Sequence, residues 1–509
     1  MPKETIFCYI QQHIDDDGYY TDSVLPDDPQ PLIPRPLGME DALFYSGMAP
    51  QDDFGLPELI KALDKALALP SERNCQELCQ VLDNLHIASI YDNFIKHYTE
   101  QPPNEGTLRL GKFLFYKALT REQLKFSLLL LGFAGMKTVY EQQHVLWQDL
   151  VTAARCEEFT VYFVNACTLT EFCPNEDYWQ LVNCVHNWGR VSLLQELWPR
   201  TQEERLWLIA HGYEISISYP DLAPRLASLS QLQNVLEGTQ LNETVLMGAL
   251  TIINNLLLLI SGDNPQELQE EHNLSGIQLN TLIYHALYHS STQPMEPLLA
   301  LELLQLNGYL RSLAEDQEWT YLTANDCHRL IANCDQLIYS RDWTQDISEK
   351  LITADGPDYL LADVAYELEQ DIWEPLYQYF VEHPQEINLL PYLLAYEGDH
   401  RSEQVLSQIE KNYRLYADNQ EALVVPLRYL KDHPGQGENI ICQALTGMFD
   451  FPRGYACAII NYWGPEYMTP RFQDALKIAL RLNQHKIVNS HIQDLIAGIY
   501  QPPEPGFDD

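Results

Sequence analysis

The chain has 509 residues, 46% of them hydrophobic, which is longer than one compact core requires and rich enough in apolar residues to bury a sizeable interior. Asp and Glu number 72 against 31 Lys and Arg, a formal net charge of −41 spread along the whole chain. Such a surface repels phosphate backbones and anionic headgroups, so nucleic acid and membrane are excluded as expected partners, and another protein or a basic peptide is what it would attract.

The opening, MPKETIFCYIQQHIDDDGYY, places an acidic cluster where a signal peptide would carry its apolar core, so no export is expected. Residues 1–55, with DDDGYYTDSVLPDDPQPLIPRPLG, are rich in Asp and Pro and read as an extended, irregular acidic arm, with a short strand through Ile6 to Ile10. His13 with Asp15, Asp16, Asp17 and Gly18 offers carboxylates suited to a hard cation but lacks the EF-hand alternation, and it reads as a solvated turn.

From Leu56 the pattern is helical. LPELIKALDKALAL has Pro in the first turn and one apolar stripe, and Ser71 opens the run NCQELCQVLDNLHIASIYDNFIKHY. Pro, Gly and Asn interrupt the later runs so as to give helix pairs of roughly 35 to 45 residues, the range of HEAT and armadillo units, about 10 to 12 pairs in all. GYEISISYP at Gly212 to Pro220 is the one β-branched alternation, and it reads as a connector because a lone strand is unstable. The segment Leu246 to Ile260, LMGALTIINNLLLLI, falls short of the roughly 20 residues a bilayer span needs and reads as a buried helix. Leu423 to His433, Glu438 to Phe449, Arg453 to Trp463 and Arg471 to Leu482 are four consecutive amphipathic segments that must bury their stripes on one another. The expected fold is therefore all-α: an α-solenoid over 56–495 with a soft boundary near 262–295, and a disordered tail over 496–509.

Three blocks occur in order: REQLKFSLLLLGFAG at Arg121 to Gly135, CEEFTVYFVNAC at Cys156 to Cys167, and VHNWGRVSLLQELWPRTQEERLWLIAHGYE at Val185 to Glu214. With LRYLKDHPGQGENIICQALTGMFDFPRGYACAIINYW at 427–463, they resemble a group of uncharacterised bacterial HEAT-like proteins, and Trp188-Gly189-Arg190 is the most specific element. Some proteins of that group carry the label limonene hydroxylase. A haem thiolate needs a Gly-framed loop, yet none of the eleven cysteines here is followed two residues later by Gly. The one G-x-G, Gly435 to Gly437, follows a helical segment rather than a strand, so no nucleotide fingerprint and no cofactor are expected.

The charged residues of these blocks, Arg121, Glu122, Lys125, Glu157, Glu158 and Arg190, stand beside buried runs with no nucleophile or His pair nearby. Their expected role is to fix helix register, with Trp188 packing between repeats and Gly189 letting backbones approach. Cys167, Cys173, Cys184 and His186 lack the close Cys pair of a zinc site and read as packing residues, as do Cys75 with Cys79 and Cys327 with His328 and Cys334. Eleven irregularly spaced cysteines point to a reducing cytoplasm. The expected function is that of a non-enzymatic scaffold binding its partner on an acidic curved surface. The alternative is an (α/α)6 glycoside-processing enzyme with paired carboxylates, for which Asp371, Trp373 and Glu374, or Glu315, Asp316, Glu318 and Trp319, are the places to look.

Overall fold

The computed structural model describes residues 4–22, 24–27, 37–45, 49–99, 105–238, 241–261, 278–293, 296–315, 322–354, 356–395, 400–416, 420–482 and 486–500. It is all-helical, and the chain falls into two compact units: Met1–Pro294 with Gln305–Leu337, and Met295–Leu304 with Ile338–Asp509. Most of the boundary expected near 262–295, and the tail over 501–509, lie outside the described residues.

The first unit contains α1 (Ile6–Gln12), α2 (Met39–Tyr45), α3 (Leu56–Ala68), α4 (Glu72–Leu82), α5 (Ile87–Thr99), α6 (Glu105–Lys117), α7 (Arg121–Gln142), α8 (His144–Ala153), α9 (Glu157–Thr168) and α10 (Asn175–Leu181). It continues with α11 (Asn187–Glu196), α12 (Gln202–His211), α13 (Ala223–Leu229), α14 (Leu232–Leu236), α15 (Glu243–Ile260) and α16 (Leu279–Thr292). Two helices, α17 (Pro297–Glu315) and α18 (Ala324–Tyr339), run across the division. The second unit holds α19 (Thr344–Lys350), α20 (Tyr359–Glu367), α21 (Trp373–Glu382), α22 (Leu390–Leu394), α23 (Arg401–Lys411), α24 (Tyr413–Tyr416), α25 (Gln420–Lys431), α26 (Glu438–Thr446), α27 (Asp450–Trp463), α28 (Pro470–Leu482) and α29 (Lys486–Ile496). Among the described residues the only paired strands are β1 (Ile352–Thr353) and β2 (Gly356–Pro357), an antiparallel pair of two residues each that the sequence reading does not anticipate.

Helix formation follows the apolar spacing. In α3, Pro57 sits in the first turn and Leu59, Ala62, Leu63 and Ala66 form the buried stripe. The run after Ser71 divides at Asp83 to His86 into α4 and α5, and the Ser71 hydroxyl caps α4 by accepting from the Asn74 N–H at 3.3 Å. The centre of the first unit is α7, buried on every side from Glu122 to Gly132 and broken at Gly135, whose φ of +100° only glycine adopts readily. Packed on α7 are α6 and α9; α9 in turn packs on α11, and α12 on α15. The apolar helix α15 is long and apolar enough to cross a membrane, and here it packs against α12, α13 and α16. Tyr213 to Tyr219 forms no strand. In the second unit α25 packs on α27, α26 on α28 and α27 on α29, so each apolar stripe is covered by the helix two places on as well as by its neighbour.

The described residues among 1–55 include two helices in place of the extended arm expected of them. Ile6 to Ile10 is helical, not a strand: Ile6, Phe7 and Ile10 share one helical face, which α1 buries against α7 and α8. The Ile6 N–H donates to the Ala118 carbonyl at 3.0 Å, and the Phe7 ring lies 4.7 Å from that of Phe115. Downstream, Ile14 bridges Tyr20 around Gly18, and Arg155 Nη1 donates to the Gly18 carbonyl at 3.0 Å. The second helix of this region, α2, packs on α5. The Pro-rich stretch 28–36 lies outside the described residues.

Candidate functional site

The first turns of α2, α7 and α9 meet at Lys125, with His86 just ahead of α5 beside them. Lys125 is 1% exposed, and its Nζ lies 2.6 Å from Asp41 Oδ2, 2.7 Å from Glu158 Oε1 and 3.1 Å from Glu122 Oε1. The ring of Tyr162 stands below it, 5.5 Å away. Asp41 Oδ1 is 3.1 Å from His86 Nε2, so both oxygens of this buried carboxylate are held by ion pairs whose angles fall outside hydrogen-bond geometry. Arg121 extends the cluster: its Nη1 is 3.3 Å from Glu158 Oε1 and its Nε 3.5 Å from Asp27 Oδ2.

The protonation of this cluster is set by burial working against neighbouring charge. Burial opposes the Lys125 charge, yet Glu158, Asp41 and Glu122 hold its pKa well above the usual lysine value. Burial likewise opposes the Asp41 charge, but Lys125 and His86 bring that carboxyl down to about 2. Glu122 goes the other way, raised by burial more than Lys125 lowers it. At His86 the loss of solvent is outweighed by Asp41, and its pKa rises.

The glutamates have a second task in common. Glu122 Oε2 accepts from the Ile87 N–H at 2.6 Å, Glu158 Oε2 from the Gly38 N–H at 2.7 Å, and Glu157 Oε1 from the His186 N–H at 3.0 Å. Each therefore satisfies a backbone donor at the start of a neighbouring helix, namely α5, α2 and α11. Burial pushes the Glu157 carboxyl up to about 7. Arg190, buried in the first turn of α11, donates to the carbonyls of Val185 at 3.2 Å, His211 at 3.3 Å and Glu214 at 3.1 Å, tying α11 to the end of α12. Gly189 passes so close to α9 that a Cβ there would lie 2.9 Å from Thr160 Oγ1, and Trp188 packs edge-on to Tyr219 with ring centres 5.6 Å apart.

The eight residues singled out from the sequence thus form two neighbouring groups: Arg121, Glu122, Lys125 and Glu158 around the buried ammonium, and Glu157, Trp188, Gly189 and Arg190 at the α9–α11 contact. Sequence reasoning missed Asp41, His86 and Asp27. The apolar spacing of Ala42 and Tyr45 around Asp41 was the available signal, hidden by the surrounding prolines. It also missed Arg453, which is buried in the first turn of α27, donates through Nε to the Leu445 carbonyl at 3.0 Å and also bonds the Gly447 carbonyl, much as Arg190 does in the first unit.

The remaining candidates are occupied elsewhere. Asp15 Oδ1 accepts from the N–H groups of Asp17 and Tyr19, closing its own turn. Cys173 points at the Glu196 carbonyl, Cys184 at the Asp17 carbonyl, and His186 stacks on Tyr19, while Cys167 is buried; among the described residues no group of His, Cys, Asp and Glu could hold a metal ion. Burial raises the thiols of Cys75, Cys79, Cys327 and Cys334, and His328 bonds the Ala324 carbonyl. Asp371 is clasped by both Nη atoms of Arg401 at 3.0 and 2.7 Å, Glu374 accepts from Gln378, and the Trp373 indole is buried against Leu393. Glu315 ends α17, and Asp316, Glu318 and Trp319 lie outside the described residues. Gly435 to Gly437 forms the turn between α25 and α26.

A cavity of about 200 Å³ lies between α2, α9 and α11, lined in part by Tyr45, Glu157, Asn165, Trp188, Gln195 and Tyr219. A wider depression of about 1210 Å³ runs along α4 and α6. Fold and site together define an all-helical protein whose densest charge joins helices to one another. Comparison with protein-family models, with curated proteins and with solved structures finds no match.

Proposed function

We propose that the protein is a non-enzymatic interaction scaffold, each unit a HEAT-like stack of antiparallel helix pairs, working in the cytoplasm and taking a basic protein or peptide on its acidic surface. The observation that carries this reading is the fate of the buried charge. Glu122 and Glu158, well placed to serve chemistry, spend their oxygens on Lys125 and on the N–H groups of Ile87 and Gly38, and Glu157 gives one oxygen to the His186 N–H. Contacts of α7 with α9, α9 with α11, α25 with α27 and α26 with α28 support the stacked architecture, and the net charge of −41 supports the choice of partner. The eleven free cysteines accord with a reducing compartment.

The test is capture from lysate on the immobilised full chain at about 50 mM and about 300 mM salt, followed by direct titration of the captured protein. A basic partner that binds in the first condition and is released in the second is expected, because screening shortens the reach of surface charge. Capture of acidic proteins only, or of none, overturns the reading.

A further inference from the structure

The cavity between α2, α9 and α11 is built differently from the rest of the acidic surface. Glu157 enters it from the first turn of α9, with Oε1 held by the His186 N–H at 3.0 Å and no hydrogen-bond partner for Oε2 among the described residues. Trp188 and Tyr219 form an aromatic corner, their rings 5.6 Å apart and inclined at 73°, and Gln195 Nε2 fixes the Tyr219 hydroxyl at 3.3 Å. The Tyr45 hydroxyl is fully buried close to Tyr162 and Asn165, yet makes no hydrogen bond of sound geometry with either. The exposed side chain of Gln195 marks where the cavity reaches solvent.

A carboxylate with one free oxygen, facing aromatic surfaces, suits a compact cation: the carboxylate takes its charge and N–H groups, and the ring faces take its flank. The volume of about 200 Å³ equals roughly seven water molecules at about 30 Å³ each, the bulk of a short alkyl chain with its charged head. We propose that this cavity is a binding site for an alkylguanidinium or alkylammonium group, with Glu157 as the anionic partner and Trp188 and Tyr219 as the aromatic wall. The same chemistry is carried by a free small amine or guanidine and by an Arg or Lys side chain of another protein. The proposal goes beyond the scaffold reading, since it requires neither a large partner nor a long-range field.

The experiment is isothermal titration calorimetry on the full chain at pH 8 with n-butylguanidinium, with neutral n-butylurea as its near-isostere. Butylguanidinium is expected to bind one per chain and at least tenfold more tightly than butylurea. Glu157→Gln keeps an acceptor for the His186 N–H while removing the charge, and should weaken butylguanidinium at least tenfold without moving the melting temperature. Ser192→Phe, which fills the cavity from α11, should abolish binding and covers the case in which the first variant fails to fold. A capped Gly-Arg-Gly peptide separates the sources: binding like butylguanidinium supports the site with a protein side chain as ligand, and exclusion alongside tight butylguanidinium supports it with a free small cation. Equal binding of butylguanidinium and butylurea, or undiminished binding in both variants, overturns the proposal. Neither result bears on salt-sensitive capture of a basic protein, so the two readings fail separately.

Discussion

Replacing Lys125 by Met keeps most of the side-chain bulk and removes the one ammonium shared by Asp41, Glu122 and Glu158. At separations of 2.6, 3.1 and 2.7 Å, each attraction is worth about 5–6 kcal/mol gross at an effective dielectric of about 20. Loss of hydration offsets several kcal/mol per ion, so breaking such a buried group costs about 3–5 kcal/mol net. At about 2 °C per kcal/mol for a unit of this size, Lys125→Met lowers the melting temperature by about 6–10 °C, read by scanning calorimetry on the full chain. The deficit shrinks as pH falls, because the Glu122 carboxyl, already raised by burial, takes up a proton more readily once the ammonium is gone. Adding Asp41→Asn and Glu122→Gln to the Met variant should recover at least half of the loss. A single variant within about 0.5 kcal/mol of the parent, or a triple variant no better than the single, would refute the account of Lys125 as the charge that holds these helix ends together.

Two further outcomes follow from the same geometry. Asp41 lies near 2 in the folded chain against an ordinary 3.8, so its stabilisation is complete above about pH 4 and is lost as pH falls towards 2, amounting to about 2 kcal/mol. Urea titrations at pH 5 and pH 2.5 should therefore show Asp41→Asn less stable than the parent at the higher pH and nearly level with it at the lower, and a constant gap would contradict this. Gly189→Val sets a branched side chain against Thr160, whose hydroxyl is fixed on the Ala154 carbonyl at 2.8 Å, and costs about 1–3 kcal/mol by thermal melting. Thr160→Ala in the same chain should return part of that loss.

Much of the helical content was legible because it depends on local spacing. The stripe of α3 and the four closing segments now seen as α25 to α28 follow from periodicity. Ile6 to Ile10 was misread because five consecutive apolar and aromatic residues, IFCYI, suit a strand or one turn of helix equally, and contact with α7 and α8 selects the helix. The charged blocks drew attention as charges beside apolar runs, which gave Lys125 and Glu158 but not the partner that completes them. Asp41 stands 84 positions before Lys125, a separation derived from their numbering, and His86 comes from a third segment. No local pattern encodes such a meeting, because it is decided by which helix starts come together when the stripes are buried. The cavity was illegible for a related reason: Tyr45, Glu157, Trp188 and Tyr219 come from four separate segments.

The tethering of α1, the Gly18 turn and α2 has a bearing on the order of folding. Gly38 is held by Glu158 and Gly18 by Arg155, clasps that span 120 and 137 positions, so each can close only once its own distant partner has been made. The segments before α3 are thus settled by later ones, and Ile6, Phe7 and Ile10 have nothing to lie against until α7 and α8 have formed. A nascent chain arrested before α8 is complete would carry the greasy face of α1 uncovered, a natural target for chaperones waiting at the tunnel exit.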